Sequence, residues 1–227
     1  MSRQKRGHHA RNQAQKEKEL YRLTYSRLVF CYLLAGLLGT VWETAFVWFV
    51  TGKFEPRNAS FISPFNFVYG SGFVLMIVCL HRVKNPFALF FFGALLGGVA
   101  EYALSWAEEL IFHTRSWDYR GMFLNIDGRT TVPYMIFWGI GGLLIIRYLY
   151  PFIMRILNKI PQKLLTLVAV FASVYIALDL ALTAAVLIRY AMRRSGQSAL
   201  TFVGVQIDRL FTKDVIRRSF PNMYFLP

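Results

Sequence analysis

Carboxylates inside long apolar segments are the side chains of this sequence best suited to chemistry. Glu101 lies within the run FFFGALLGGVAEYALSWAEELIF, where the next acids are Glu108 and Glu109. A carboxylate that faces lipid hydrocarbon is energetically unfavourable, so we expect Glu101 to face a helix bundle or a hydrated cavity. Buried acids of this kind favour a cationic substrate, a hydroxyl-rich substrate or a proton.

Glycines precede two of the buried acids in helical register. Gly97 lies four residues before Glu101, and Gly36 and Gly39 share a helix face with Glu43. A face of small residues lets a neighbouring helix approach closely. The spacing therefore predicts that both carboxylates lie inside helix contacts.

The composition is that of a polytopic membrane protein. Of the 227 residues, 56% are hydrophobic and 17% are aromatic. Several runs are long enough to cross about 30 Å of hydrocarbon, which takes about 20 apolar residues. We predict an all-α integral membrane protein with about five transmembrane helices and a polar loop cap on one face. The predicted spans are Tyr25–Val50, Phe67–Leu80, Phe87–Phe112, Thr131–Leu149 and Leu164–Tyr190.

The hydropathy pattern divides the chain into three regions. These are a basic N-terminal tail (1–24), a transmembrane helical domain (25–191) and a basic amphipathic C-terminal tail (192–227). The second span is short for a crossing, so we expect it to begin deep in the membrane, after a re-entrant part of the loop 51–66. Pro151 is expected to end the fourth span.

The net charge of +14 favours an anionic lipid surface over nucleic acid as the partner, because the chain contains no basic soluble module. One side of the predicted topology, with the N-terminal tail, has fourteen basic residues, and the other has twelve once the C-terminal tail is included. The first helix carries extra weight in the positive-inside rule, so we predict a multi-pass cell-membrane protein with a cytoplasmic N-terminus. Cys31 and Cys79 lie in predicted spans and are interpreted as apolar residues.

The predicted depths of three acids place them beneath the same two loops. The second and third spans form a hairpin, so the loops 51–66 and 113–130 are expected on one membrane face. Glu101 and Asp179 each lie eleven residues before the predicted end of their helix. That spacing corresponds to a depth of about 16 Å, and Glu43 is expected about 10 Å from the same face. The pattern predicts a pocket that opens to one side.

Several short motifs occur in a characteristic order along residues 30–155. They comprise Glu43, Pro64, Tyr69-Gly70, Glu101-Tyr102, Glu109, Phe112, Trp117-Asp118-Tyr119, Asn125, Gly128 and Arg129. In this order the chain resembles the ABC-transporter type IV permease family of bacterial membrane proteins. The first loop departs from the family pattern, because Arg57-Asn58 reverses the usual order and other residues replace two glycines and a proline at Ala59, Ser63 and Phe67.

Spacing and resemblance together give a set of predicted substrate-binding residues, with no catalytic residue, metal site or cofactor. The set is Glu43, Asn58, Tyr69, Glu101, Glu108, Glu109, Trp117, Asp118, Tyr119, Asn125, Arg129 and Asp179. Glu43 and Glu101 would line the pocket. Its lid would be formed by Trp117, Asp118, Tyr119, Asn125 and Arg129.

A purely structural hypothesis accounts for the same residues. The buried acids would pair with Arg129 or with each other to fix the helix packing. Trp117 and Tyr119 would be anchors at the membrane interface. Asp118 and Asn125 would cap turns in the loop.

The resemblance implies a permease-like or substrate-binding subunit of a transporter. The sequence lacks the motif G-x-x-x-x-G-K-[ST], so ATP-driven transport would require a separate ATPase subunit. Two alternatives stay open: a membrane-embedded enzyme acting on a lipid or small polar substrate, and a ligand-sensing or scaffolding membrane protein. No Ser–His–Asp or zinc-site spacing supports the enzyme. The lipid bilayer is the expected partner in every case, and a homo-oligomer is compatible with each.

Overall fold

The structure is a computed structural model that describes residues 22–55, 57 and 59–225. Asn58 and nearly all of the predicted N-terminal tail lie outside the described residues. Within these ranges, four helical segments are long and apolar enough to cross a membrane: Tyr25–Thr51, Pro86–Phe112, Val132–Leu157 and Gln162–Arg194. A shorter apolar helix, Phe67–Leu80, lies between the first two. The predicted all-α membrane class is confirmed. The four long helices and the shorter one are roughly consistent with the predicted count of about five spans.

We number the helices in chain order. The first three are α1 (Tyr25–Thr51), α2 (Phe67–Leu80) and α3 (Pro86–Phe112). The fourth spanning segment consists of α4 (Val132–Leu144), a π-helical turn (Ile145–Leu149) and α5 (Tyr150–Leu157). The last three helices are α6 (Gln162–Arg194), α7 (Phe202–Leu210) and α8 (Lys213–Ser219).

Among the described residues, four two-residue strands form two antiparallel pairs outside the helices. The strand β1 (Thr114–Arg115) pairs with β4 (Tyr224–Phe225), and β2 (Asn125–Ile126) pairs with β3 (Thr130–Thr131). The first pair joins the C-terminal tail to the segment that follows α3. The second pair closes a hairpin within the loop between α3 and α4.

The bundle has two chemically different ends. At the basic end, α1 begins, α2 turns into α3, and α5 turns into α6. There Arg27 hydrogen bonds to Asn158, and Arg147 hydrogen bonds to the Lys84 carbonyl. The loop end holds the described residues of the loop 52–66, the segment 113–131 and the described part of the C-terminal tail. Both predicted loops therefore lie on the same face of the bundle.

The chain between α1 and α2 turns back into the bundle, and we call its residues 59–66 the re-entrant segment. The Asn66 amide donates to the Gly36 carbonyl at 3.0 Å, and the Thr40 hydroxyl donates to the Pro64 carbonyl at 2.7 Å. Gly36 lies fifteen residues before the end of α1 at Thr51, which is about 22 Å along the helix. Helix α2 thus begins deep in the bundle, as the sequence predicted for the short second span.

Pro151 does not end the fourth spanning segment, which continues to Leu157 and corrects the sequence prediction. The proline follows a π-helical turn in which the Tyr150 amide donates to the Ile145 carbonyl, five residues back. Proline is tolerated in the first turn of a helix, because its missing N–H is not needed there. It stands at the second residue of α5, so helical structure resumes with the proline inside its first turn.

Apolar packing fills the half of the bundle nearer the basic end. The most deeply buried side chains there come from α1, α2, α3, α5 and α6, and include Cys31, Ile77, Leu89, Met154 and Leu165. Burial of Cys31 fits its interpretation as an apolar residue. Most polar side chains buried within the bundle lie in the other half, where they build the candidate site.

Candidate substrate-binding site

Helix α2 separates the two helices that hold the predicted pocket acids. Helix α1 packs against α2, α5 and α6, whereas α3 packs against α2, α4 and α6. Because α2 begins deep in the bundle, Glu43 of α1 and Glu101 of α3 lie on either side of its first turn. Tyr69 in that turn hydrogen bonds to Glu43 and is close enough to Glu101 to interact with its charge. We call Glu43, Tyr69, Glu101, Tyr119 and Tyr134 the acid–tyrosine cluster.

Glu101 receives hydrogen bonds on both carboxylate oxygens. The Tyr119 hydroxyl donates to Oε1 at 2.8 Å, and the Thr130 hydroxyl donates to Oε2 at 2.8 Å. The Tyr119 ring stacks on Tyr134 of α4, with ring centroids 4.8 Å apart. Neutral donors from the α3–α4 loop thus hold the carboxylate in place while it stays partly accessible.

Glu43 has a different environment, which includes a cation. Its Oε2 accepts from the Asn66 side-chain amide at 3.4 Å, and the Arg57 guanidinium lies close enough for electrostatic attraction. The Asn66 Oδ1 accepts from the Val68 amide at 3.0 Å and so caps the start of α2. The cap of α2 and the carboxylate of α1 are therefore joined by one side chain.

A glycine one turn before each acid makes room for the aromatic ring beside it. A Cβ at Gly39 would overlap the Tyr69 ring, and a Cβ at Gly97 would overlap the side chain of Trp138. The Trp138 side chain also hydrogen bonds to Glu101. The glycines at the spacing noted in the sequence therefore leave room for an aromatic hydrogen-bond donor beside each glutamate.

Burial and the neighbouring Glu101 carboxylate raise the pKa of the Tyr119 phenol well above its ordinary value. The hydroxyl therefore remains protonated at physiological pH and donates to Glu101. This interaction ties the α3–α4 loop to the middle of α3.

Arg129 lies in a second polar group near the end of α3. Its Nη2 donates to Glu109 Oε2 at 2.7 Å, and its Nη1 donates to Ser105 Oγ at 3.3 Å. Arg115 binds the same Glu109 oxygen through Nε at 2.7 Å. The Trp117 indole donates to the Arg129 carbonyl at 2.8 Å. Arg129 thus pairs with Glu109 and leaves the acid–tyrosine cluster without this cation.

Glu108 is engaged by the segment that follows α3. Its carboxylate accepts from the hydroxyls of Thr114 and Ser116 at 3.0 and 2.9 Å and from the Ser116 amide at 3.1 Å. These bonds hold the start of the loop against the helix end.

Asp118 and Asn125 organise the turns of the α3–α4 loop. The Asp118 carboxylate accepts from Arg120 Nε at 2.8 Å, and the hydrogen bonds from Arg120 lower the pKa of Asp118 to about 2. The Asn125 Oδ1 accepts from the Gly128 amide at 3.0 Å, next to left-handed backbone at Asp127 and Gly128. Both contacts match the turn-capping hypothesis.

Asp179 lies apart from the acid–tyrosine cluster. Its two carboxylate oxygens accept from the backbone amides of Ile62 and Ser63 at 3.1 and 2.9 Å. The side chain is 1% exposed. It therefore anchors the re-entrant segment to α6, and Thr183 adds a bond from the Phe61 amide at 3.3 Å.

Five residues in or beside the cluster were not predicted as site residues from the sequence. They are Arg57, Asn66, Thr130, Tyr134 and Trp138. Tyr134 and Trp138 are four residues apart on α4, so helical spacing combined with the glycines of α3 could have identified them. No sequence signal predicts Asn66, whose role depends on the re-entrant path of the chain.

The described residues contain no group of three or more His, Cys, Asp or Glu side chains placed to hold a metal ion. The carboxylates and phenols of the acid–tyrosine cluster can form hydrogen bonds, pair with charges and bind protons.

Comparison with known proteins identifies one matching family. No curated protein and no solved structure matches the chain significantly. The profile of the ABC-transporter type IV family matches residues 30–184, which include every residue of the acid–tyrosine cluster and also Asp179. This match covers well over half of the sequence. The chain therefore belongs to the ABC-transporter type IV family.

Proposed function

We propose that the protein is a permease-like membrane subunit of a transporter and that the acid–tyrosine cluster binds its substrate. One observation carries the proposal: two carboxylates, Glu43 and Glu101, flank the first turn of a helix that begins inside the bundle. Many transporters bind their substrates near the bilayer midplane, where a spanning helix is interrupted. Membership in a transporter family supports the same function.

The chemistry of the cluster supports a cationic or hydroxyl-rich substrate, or a proton. Carboxylates attract cations, and the phenols of Tyr69, Tyr119 and Tyr134 supply donors, acceptors and aromatic faces. Tyr119 belongs to the α3–α4 loop, so movement of that loop would change access to Glu101. The loop would then act as a lid over the cluster.

The proposed transporter requires a second component for ATP-driven transport. This sequence has no phosphate-binding loop, so a separate ATPase subunit would supply the energy. The proposed association fits the family to which the chain belongs.

The proposed orientation places the basic end in the cytoplasm of a bacterial cell. Among the described residues, no Asp or Glu lies at that end, whereas several cations at the loop end are paired with acids. Anionic lipids give the cytoplasmic leaflet a negative surface potential, which favours the basic end there. The acid–tyrosine cluster would then be approached from outside the cell.

Purification of the full chain from native membranes would test the proposal. We expect an ATPase subunit to co-purify, and the reconstituted complex to show ATP hydrolysis stimulated by compounds from a panel of organic cations and polyols. Glu43→Gln and Glu101→Gln should each reduce this stimulation by about tenfold or more, because a single charge contact inside a site is worth about 1.4 kcal/mol or more.

Asp214→Asn is the matched control, because Asp214 is an exposed acid of α8 at the same end of the bundle. It should retain full stimulation. Normal stimulation in both glutamate variants would contradict the proposed site. Turnover of a lipid by the purified chain alone would instead support the membrane-enzyme alternative.

A further inference from the structure

A recess in the form of a groove lies between α1, α2 and α6, on the half of the bundle nearer the basic end. It has a volume of about 340 Å³ and an almost entirely apolar surface. Two parallel stripes of side chains form its sides, with Tyr25, Val29 and Tyr32 on α1 and Ser173, Ala177 and Leu180 on α6. Along α1 the recess extends for about 10 Å from the first residue of the helix.

Towards the basic end, polar side chains of α1 and α6 follow the apolar stripes of the recess. The Gln162 amide donates to the Ser26 hydroxyl at 2.9 Å and to the Thr166 hydroxyl at 3.3 Å. At the mouth of the recess the Tyr25 hydroxyl donates to Ser173 Oγ at 2.6 Å. An apolar groove thus leads to a group of hydroxyls and an amide. A phospholipid has the same sequence of parts, with an apolar acyl chain that leads to the polar glycerol region.

Several cations lie at the same end of the bundle as this polar group. Arg22 lies three residues before Tyr25, and Lys163 is adjacent to Gln162 at the start of α6. Arg27 and Lys159 lie at the same end, where Arg27 bonds to Asn158. Within the described part of the chain, no Asp or Glu lies at this end. A molecule with an apolar chain and a negative headgroup is complementary to both parts of the site.

We propose that the groove between α1 and α6 binds one anionic phospholipid from the leaflet at the basic end. One acyl chain would lie between the two stripes, and the phosphate would lie near Arg22 and Lys163. The site is separate from the acid–tyrosine cluster and does not depend on the proposed transport. Its occupant would hold α1 against α6, the two helices that support the re-entrant segment.

Native mass spectrometry of the full chain can test the site with phosphatidylglycerol and phosphatidylcholine of identical acyl chains as the two probes. We expect one phosphatidylglycerol molecule to stay bound and phosphatidylcholine to bind more weakly. Ala177→Trp should fill the groove and abolish the retained lipid. Leu178→Trp is the control, because Leu178 is 66% exposed and does not line the groove.

Two double variants distinguish the contribution of the lipid headgroup to binding from that of the acyl chain. Arg22→Gln combined with Lys163→Gln should weaken phosphatidylglycerol binding by about fivefold for each cation removed. Removal of two exposed cations at the opposite end, by Arg209→Gln and Arg217→Gln, should leave binding unchanged. Equal retention of both lipids, or retention of phosphatidylglycerol in Ala177→Trp at the level of Leu178→Trp, would overturn the proposal.

Discussion

The Tyr119 hydroxyl donates to the Glu101 carboxylate at 2.8 Å and so connects the α3–α4 loop with the middle of α3. Tyr119→Phe removes this bond and leaves Thr130 as the donor from the loop. We expect a loss of about 1.5–3 kcal/mol in stability, the usual range for a hydrogen bond to a charged group. Glu101→Leu should lower stability further, because two hydroxyls then lose their acceptor.

Thermal unfolding in detergent and limited proteolysis of the α3–α4 loop would measure both effects. Tyr148→Phe is the control, since Tyr148 is 66% exposed on the fourth spanning segment. Stability equal to wild type in Glu101→Leu would contradict the role of Glu101 in holding the loop.

The glycines before the two acids should not tolerate even one methyl group. A Cβ at Gly39 or Gly97 would overlap the ring of Tyr69 or Trp138. Overpacking of this kind lowers stability by about 1–3 kcal/mol. Gly141→Ala is the matched control on α4, because a Cβ there meets nothing within 4 Å. That variant should be neutral or stabilised by up to about 1 kcal/mol. Equal melting temperatures for the three alanine variants would contradict the packing.

Asp179→Asn should loosen the re-entrant segment, because one carboxylate oxygen that accepts from Ile62 or Ser63 is replaced by a donor. We expect a loss of about 1.5–3 kcal/mol in stability and faster labelling of a cysteine introduced by Ile62→Cys. The control Asp214→Asn should change stability by about 0.5 kcal/mol. Unchanged labelling in Asp179→Asn would show that the segment is held by other contacts.

The two ends of the bundle should be labelled from opposite sides of the membrane. In a background with Cys31→Ala and Cys79→Ala, an impermeant maleimide should reach Arg120→Cys and Leu200→Cys from the same side. Lys84→Cys should react only from the other side, which is the cytoplasm in the proposed orientation. Labelling of Arg120→Cys and Leu200→Cys from different sides would exclude the arrangement of the tail beside the α3–α4 loop.

The ion pair between Asp118 and Arg120 should persist in acid. The pKa of Asp118 is lowered from its ordinary 3.8 to about 2. The pair therefore contributes its full stabilisation above about pH 4 and loses it as the pH falls through about 2. Arg120→Gln should raise the pKa towards the ordinary value, as measured by carboxyl carbon chemical shifts. A titration midpoint near 3.8 in the wild type would refute the pairing.

Hydropathy and glycine spacing predicted most of the helical frame. The predicted first span Tyr25–Val50 and the observed α1 end within one residue of each other, and α3 begins one residue before the predicted start. Local sequence was sufficient in these places because helix length and apolar composition determine a membrane span.

The partners of the polar residues were less predictable, because they depend on contacts between distant segments. The end of α6 illustrates the difference. Arg189 and Arg193 pair with Asp208 of the tail, and the helix extends to Arg194 instead of Tyr190. The distance of Asp179 from the helix end is correspondingly larger than predicted, and its oxygens bind the re-entrant segment, which sequence spacing alone does not reveal.

The π-helical turn at Ile145–Leu149 constrains how many residues the fourth spanning segment contains, independently of which residues they are. Its extra residue sets the phase between α4, whose Gly139 and Gly142 face α3, and α5, whose Met154 is fully buried. Deleting one residue from the turn would rotate α5 by about 100° relative to α4. Met154 would then leave the core, although the hydropathy profile would scarcely change. Along this segment the protein should accept many apolar substitutions but no single-residue deletion.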